Sequence, residues 1–258
     1  MALAGHVAII SGGLGDIGRA TALELARLGA DVALGDIRSE DEAVELLRAL
    51  GELGVRGRYD RVDVADADAV AKWVGDVEAA LATPTLVIAN AAIVTPAGVR
   101  DVSPAQWNNL LSVNLDGAFH LAQAAALRML AGNKTGRIVF MGSVAGHLPN
   151  PNIPAYCVAK AALRMLCKCM ALELAPHGIL VNEVAPGNVD AGLSAAIWRK
   201  DPAFKEICRQ HVPTGQLITA DEVAQQVAHL CDPRNNHMTG SVLLMDGGLT
   251  LAGPQGRR

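Results

Sequence analysis

The sequence predicts a doubly wound α/β domain, a parallel sheet with helices packed on both faces. Three observations carry the prediction. Short apolar runs alternate with longer amphipathic stretches along the 258 residues, the succession of strand and helix that winds a parallel sheet. The runs are near-continuously apolar instead of alternating, as strands buried on both faces are. A glycine string joins the first run to the first amphipathic stretch, at the carboxyl edge of the sheet where such folds bind ligands.

In chain order, Val7–Ile10 is expected as the first strand and 17–28 as the first helix. Val32–Leu34 forms the second strand, and a helix over 39–50 starts at Ser39, a good N-cap residue. A polar stretch holding Tyr59 precedes the third strand, which ends before Asp63-Val64. Helix 66–81, capped by Asp66, leads to the strand Leu86–Ala89. One long helical stretch is expected over 104–131, with Ser103 as N-cap and Pro104 at the first helical position. Ile138–Met141, helix 155–175, Leu180–Val184, helix 220–231 and Val242–Met245 complete the alternation. The segment of about 190–215 breaks the rhythm: it is polar and mixed, with Trp198, Phe204 and Ile207 at helical spacing. A small helical lid over a pocket and an ordinary surface helix both fit that pattern.

Residues 1–258 are expected to form one domain, because α/β folds of about 250 residues are commonly single units and no repeat or linker divides the chain. Three Phe, three Trp and two Tyr leave the core to Ala, Val, Leu and Ile. With 26 acidic against 22 basic residues the net charge is −4, which speaks against nucleic acid as a partner. Residues 79–99 are uncharged, yet Pro84, Asn90 and Pro96 interrupt them, so no membrane span is expected. The start lacks a basic n-region, and the chain reads as cytoplasmic. Cys157, Cys167, Cys169, Cys208 and Cys231 are odd in number without a C-x-x-C pair, and are read as free buried thiols. The seven histidines are scattered, so no metal is assigned.

Ser11-Gly12-Gly13-Leu14-Gly15-Asp16-Ile17-Gly18 closes the first strand and opens the first helix. Glycines there let the backbone approach a pyrophosphate, whose charge rests on the free N–H groups of the helix N-terminus. That placement predicts a Rossmann-like nucleotide site. The second strand ends at Gly35-Asp36. A carboxylate there accepts hydrogen bonds from the adenosine ribose and repels a 2′-phosphate, so NAD is expected over NADP. Arg38 could reach a phosphate if Asp36 turned away.

At the chemical end stand Asn114 in a helical stretch, Ser143 just after a strand, and Tyr156 and Lys160 four apart on a helix. That spacing projects phenol and ammonium from one face. A free phenol titrates near about 10; a neighbouring ammonium lowers that value, and a lysine together with a bound nicotinamide cation is expected to bring Tyr156 down towards neutrality.

On these residues the chain resembles the short-chain dehydrogenase/reductase family, in its short single-domain branch, over essentially its whole length. The resemblance rests on Ser11–Gly18, Asp63-Val64, Asn90-Ala91-Ala92, Asn114, Ser143, Tyr156 with Lys160, Pro186-Gly187 and Asp246-Gly247-Gly248. It implies that Tyr156 is the general acid/base, that Ser143 hydrogen-bonds the substrate oxygen, and that Lys160 holds the nicotinamide ribose. Asn114 would seat a water linked to Lys160. Asp63 and Val64 would recognise adenine, Asn90 would brace the sheet beside the cofactor, Ala91 would contact the cofactor, and Pro186, Gly187 and Val189 would bound the nicotinamide. A homotetramer is implied too, through the helices over 104–131 and 161–175.

Two departures stand out. Asp16 replaces a glycine of the branch, while Gly12-x-x-Gly15-x-x-Gly18 is similar to the loop of the sugar-nucleotide branch, so Asp16 is expected to point away from phosphate. Ala191 replaces a threonine that contacts the nicotinamide carboxamide, with Ser194 as candidate substitute, and Ala92 replaces a glycine more mildly. The expected function is an NAD-dependent oxidoreductase acting on a secondary alcohol or ketone, with polar Asn152, Asn188, Asp190 and His147 favouring a sugar, polyol or similar hydroxy compound. A 3-ketoacyl thioester reductase is the enzymatic alternative, and a non-catalytic NAD-binding sensor or scaffold the alternative of another class.

Overall fold

In the computed structural model, which describes residues 1–252, seven strands form one sheet: β1 (Val7–Ser11), β2 (Asp31–Asp36), β3 (Gly57–Arg61), β4 (Leu86–Ala89), β5 (Gly136–Met141), β6 (Ile179–Pro186) and β7 (Val242–Met245). Their order is β3-β2-β1-β4-β5-β6-β7 and every neighbouring pair is parallel. The expected fold class is the observed one. The last six residues of the expected 1–258 domain lie outside the described residues.

The helices are α1 (Asp16–Arg27), α2 (Val44–Glu52), α3 (Ala67–Ala80), α4 (Pro104–Leu111), α5 (Gly117–Ala131), α6 (Pro154–Leu174), α7 (Gly192–Lys200), α8 (Pro202–His211) and α9 (Ala220–Cys231). Leu25 of α1, Leu46 and Leu50 of α2 and Val227 of α9 pack on one face of the sheet. Val70 and Trp73 of α3, Leu121 of α5 and Leu163 of α6 pack on the other. Two-sided cover explains the unbroken apolar runs: all residues of β1, β4, β5 and β6 are buried. β1 bonds β2 on one side and β4 on the other, so the chain reverses its winding there and opens a crevice at the strands' carboxyl ends.

Several local expectations are corrected. Tyr59 lies inside β3, not before it, because β3 (Gly-Arg-Tyr-Asp-Arg) is a polar edge strand that no apolar run announces. The Tyr59 hydroxyl donates to Arg38 O at 2.6 Å. The stretch 39–50 begins as a 3₁₀ turn over Glu40–Ala43, and the Ser39 side chain makes no capping bond. Asp66 and Ser103 do cap, accepting from Ala69 N at 3.0 Å and Gln106 N at 3.2 Å. The stretch 104–131 is interrupted by a π turn over Ser112–Asp116. Among the cysteines only Cys167 and Cys231 are buried, and Cys169 is exposed. Among the described residues no helix is long and apolar enough to cross a membrane, and no cluster of metal-ligating side chains forms.

Candidate active site

The crevice is a cleft of about 1280 Å³ running from the ends of β1 and β2 to the first turn of α6 and the helices α7 and α8. Gly12, Gly15, Asp16, Ile17, Asp36, Asp63, Val64, Asn90 and Ala91 line one part, and Ser143, Tyr156, Lys160, Pro186, Gly187 and Val189 the other. Ser11, Gly18 and Asn114 stand behind the wall and shape it.

At the nucleotide end, Gly12 has a positive φ of 63°, and a Cβ on it would lie 2.9 Å from Ala91 Cα. A Cβ on Gly18 would strike Gly12 O, so α1 starts hard against the loop. Gly15 caps α1 with no side-chain bond, leaving first-turn N–H groups for an anion. Asn90 Nδ2 donates to Ser11 O and Gly12 O at 3.1 and 3.0 Å, and the Ser11 hydroxyl accepts from Asn90 N and Ala91 N. The loop is therefore braced across the switch point by Ser11, Asn90 and the Ala91 amide. These residues fit a dinucleotide.

The Asp36 carboxylate is buried and accepts from Leu14 N at 3.1 Å and Arg38 N at 3.3 Å. The Arg38 side chain lies 3.5 Å from Asp36 and 3.6 Å from Glu42, so its charge is engaged by carboxylates. Asp63, exposed in the cleft, accepts from Ala65 N, while Val64 is buried beneath it. Asp16 Oδ2 accepts from Gly192 N at 2.7 Å. The carboxylate thus reaches across the cleft to the first residue of α7, whose own N-cap, Ala191, supplies no side-chain cap. Ser194 lines the cleft from the same helix.

At the chemical end, Ser143 is the N-cap of a 3₁₀ turn after β5, its hydroxyl accepting from Ala145 N at 3.1 Å. Tyr156 and Lys160 come from the first two turns of α6, with Lys160 Nζ 5.5 Å from the Tyr156 ring centroid. Lys160 is fully buried and donates to Met141 O at 2.7 Å. Burial pulls it down to about 8, partly offset by Glu183. Burial also pushes Tyr156 up to about 12, although the Ser143 hydroxyl offsets part of the rise. The lowering expected from Lys160 is not seen among the protein's own groups, where loss of solvation is the largest influence on Tyr156. Asn114, in the π turn, exchanges two 2.8 Å bonds with the backbone of Ile93, so its side chain braces the loop after β4. π turns often mark such sites.

Asn152 and Asn188 line the cleft, whereas Asp190 and His147 do not. Asp190 instead accepts from Lys205 at 2.7 Å. The segment 190–215 is two helices, not one. Trp198 of α7 is buried, while Phe204 of α8 lines the mouth half-exposed and Ile207 stays out of the cleft. Arg164 and Glu183, which sequence reasoning passed over, form an ion pair in which Glu183 is buried and Arg164 partly so, beside the turn that carries Ser143. A charged residue inside the apolar run of β6 was the one available signal.

A sequence profile described as Enoyl-(acyl carrier protein) reductase matches residues 13–250. The cis-4-hydroxycyclohexanecarboxylate dehydrogenase of Sinomonas cyclohexanicum is 34% identical over 250 residues, covering 96% of this chain and 98% of that one. The chain belongs to the short-chain dehydrogenase/reductase family. Another member similar to it is the 3-oxoacyl-[acyl-carrier-protein] reductase of Pseudomonas aeruginosa, 31% identical with 98% and 100% coverage. Among solved family structures, a gluconate 5-dehydrogenase from Burkholderia cenocepacia in complex with NADP and tartrate superposes with a TM-score of 0.91, at 33% identity and 97% coverage of both chains. As a short-chain dehydrogenase/reductase the protein is an oxidoreductase acting on CH–OH groups with a nicotinamide cofactor.

Proposed function

We propose that the protein is an NAD-dependent dehydrogenase interconverting a secondary alcohol and its ketone, with a sugar, polyol or related hydroxy compound as substrate. One observation carries the proposal: a single cleft holds a carboxylate, Asp36, at its nucleotide end and Ser143, Tyr156 and Lys160 at the other. The nicotinamide, when bound, supplies the hydride acceptor or donor. The Tyr156 hydroxyl gives the substrate oxygen its proton or takes it away, and Ser143 hydrogen-bonds the same oxygen. Burial pushes the Tyr156 phenol upward, which favours the protonated form that donates in ketone reduction. Lys160 would hold the nicotinamide ribose, and Asn114, its side chain engaged with Ile93, would seat a water linked to Lys160.

NAD preference rests on Asp36, whose buried carboxylate repels a 2′-phosphate, and on Arg38, which Asp36 and Glu42 engage. NADP is the second reading, favoured by its presence in the gluconate 5-dehydrogenase complex. Asn109, Asn150 and Asn152, with Ile197 and Phe204 of the helical pair, offer a substrate both polar and apolar surface, and α7 and α8 act as a lid. A 3-ketoacyl thioester reductase is the alternative that the Pseudomonas relative supports. A sensor would have no use for the assembled Ser143, Tyr156 and Lys160. We assign the protein to the cytoplasm, with neither nucleic acid nor membrane as partner, and to a homotetramer built on α5 and α6, where Leu127, Met165 and Leu172 are exposed.

Fluorescence titration is expected to show NADH binding several-fold tighter than NADPH, and a panel of sugars, polyols and hydroxy acids with NAD, followed by NADH absorbance, to yield a substrate. The reverse cofactor order would remove the Asp36 argument.

A further inference from the structure

We propose that the Arg164–Glu183 pair is a positioning unit for Ser143, clamping the strand-to-turn segment 142–146 against the helix that carries Tyr156 and Lys160. The inference rests on the dehydrogenase reading above. Glu183 lies within β6 and is fully buried, a placement unfavourable for a carboxylate unless it is paired and hydrogen-bonded. Arg164, one turn beyond Lys160 on α6, supplies both. Its Nε and Nη2 donate to Glu183 Oε2 and Oε1 at 3.2 and 3.0 Å, and its Nη1 donates to Gly146 O at 3.0 Å.

The segment is thereby held at two points by residues four apart on one helix. Lys160 donates to Met141 O, just before it, and Arg164 to Gly146 O, at its end. Both glycines that flank Ser143 touch this unit. A Cβ on Gly142 would overlap Glu183 Oε1, and one on Gly146 would stand 3.1 Å from Arg164 Nη2 and 3.0 Å from the Lys160 carbonyl. Within the clamp the Ser143 hydroxyl is oriented by Ala145 N. The height of that hydroxyl beside Tyr156 therefore follows from how the pair seats the turn. Neither Arg164 nor Glu183 lines the cleft, so the pair acts through Ser143 and is not itself catalytic.

The test compares Glu183→Gln, Arg164→Lys and the double variant Arg164→Met/Glu183→Leu with the wild type. Each single variant is expected to slow single-turnover hydride transfer by about 30-fold, as sub-ångström misplacement does, with cofactor affinity unchanged and faster amide exchange over 142–147. The double variant leaves no orphaned buried charge, so it recovers thermal stability. It does not recover the rate, because without Arg164 the Gly146 carbonyl loses its donor. A double variant that regains the rate with its stability would overturn the proposal, as would single variants that melt earlier yet keep both rate and exchange pattern. If the wild type turns over no alcohol or ketone, the dehydrogenase reading fails, and exchange over 142–147 in the same variants then decides the clamp by itself.

Discussion

At the scale of single residues, Tyr156 and Lys160 show how burial reorders what sequence spacing leads one to expect. Four positions apart, they share a face of α6, but desolvation raises the phenol to about 12 and lowers the ammonium to about 8. Ketone reduction draws on a protonated Tyr156 and a charged Lys160. Because the Lys160 charge is present below its folded pKa and lost as pH rises through about 8, kcat/KM for reduction is expected to decline across that value, and a pH–rate profile reads it directly. The same shift bears on stability. Between about 8 and about 10.5 the unfolded chain holds the lysine proton that the folded chain has released, so this group makes the fold more stable as pH rises through that window. Tyr156→Phe is expected to keep NADH affinity and lose about 10²- to 10⁴-fold in turnover; retained turnover would remove it from the acid/base role.

At the scale of elements, the informative places are those where a helix or strand departs from regularity. β3 is polar because it is an edge strand whose side chains answer to each other and to solvent: Arg58 pairs with Asp60 at 2.6 Å, and Trp73 Nε1 donates to Asp60 at 3.1 Å. The π turn between α4 and α5 brings Asn114 to Ile93, tying helix to cleft loop. Across the cleft, α7 has no cap of its own, and Asp16 on α1 provides one. Asp16→Gly is therefore expected to speed amide exchange over 192–200 without tightening NAD binding, and Ala191→Ser, which gives α7 a residue suited to capping, is expected to restore protection. Tighter NAD binding with unchanged exchange would instead place the carboxylate against phosphate.

At the scale of the whole molecule, reversal of the winding between β1 and β4 opens one crevice long enough to hold nucleotide recognition and acid/base chemistry together. Leu127 of α5 with Met165 and Leu172 of α6 are more than half exposed, Leu172 at 82%, and are side chains that a second copy would cover. Light scattering is expected to report a tetramer, and Leu172→Glu to shift it to smaller species; a monomeric wild type would contradict this assembly.

Much of this was legible in the amino-acid order, since backbone sterics and burial leave local marks. Apolar runs flanked by Gly, Asp and Asn marked the buried strands, Gly12 and Gly18 the close backbone approach, and the four-residue step from Tyr156 to Lys160 their common face. The sequence by itself determined the sheet, the nucleotide loop and the family's set of reactive groups. What it could not show depends on distances between segments far apart in the chain. The reach of Asp16 to Gly192 spans 176 residues, and the clamp on Ser143 joins β6, α6 and the turn after β5. Only the tertiary structure decided these, and with them the upward push on Tyr156, because solvation is a property of the packed surroundings and not of the residue or its near neighbours.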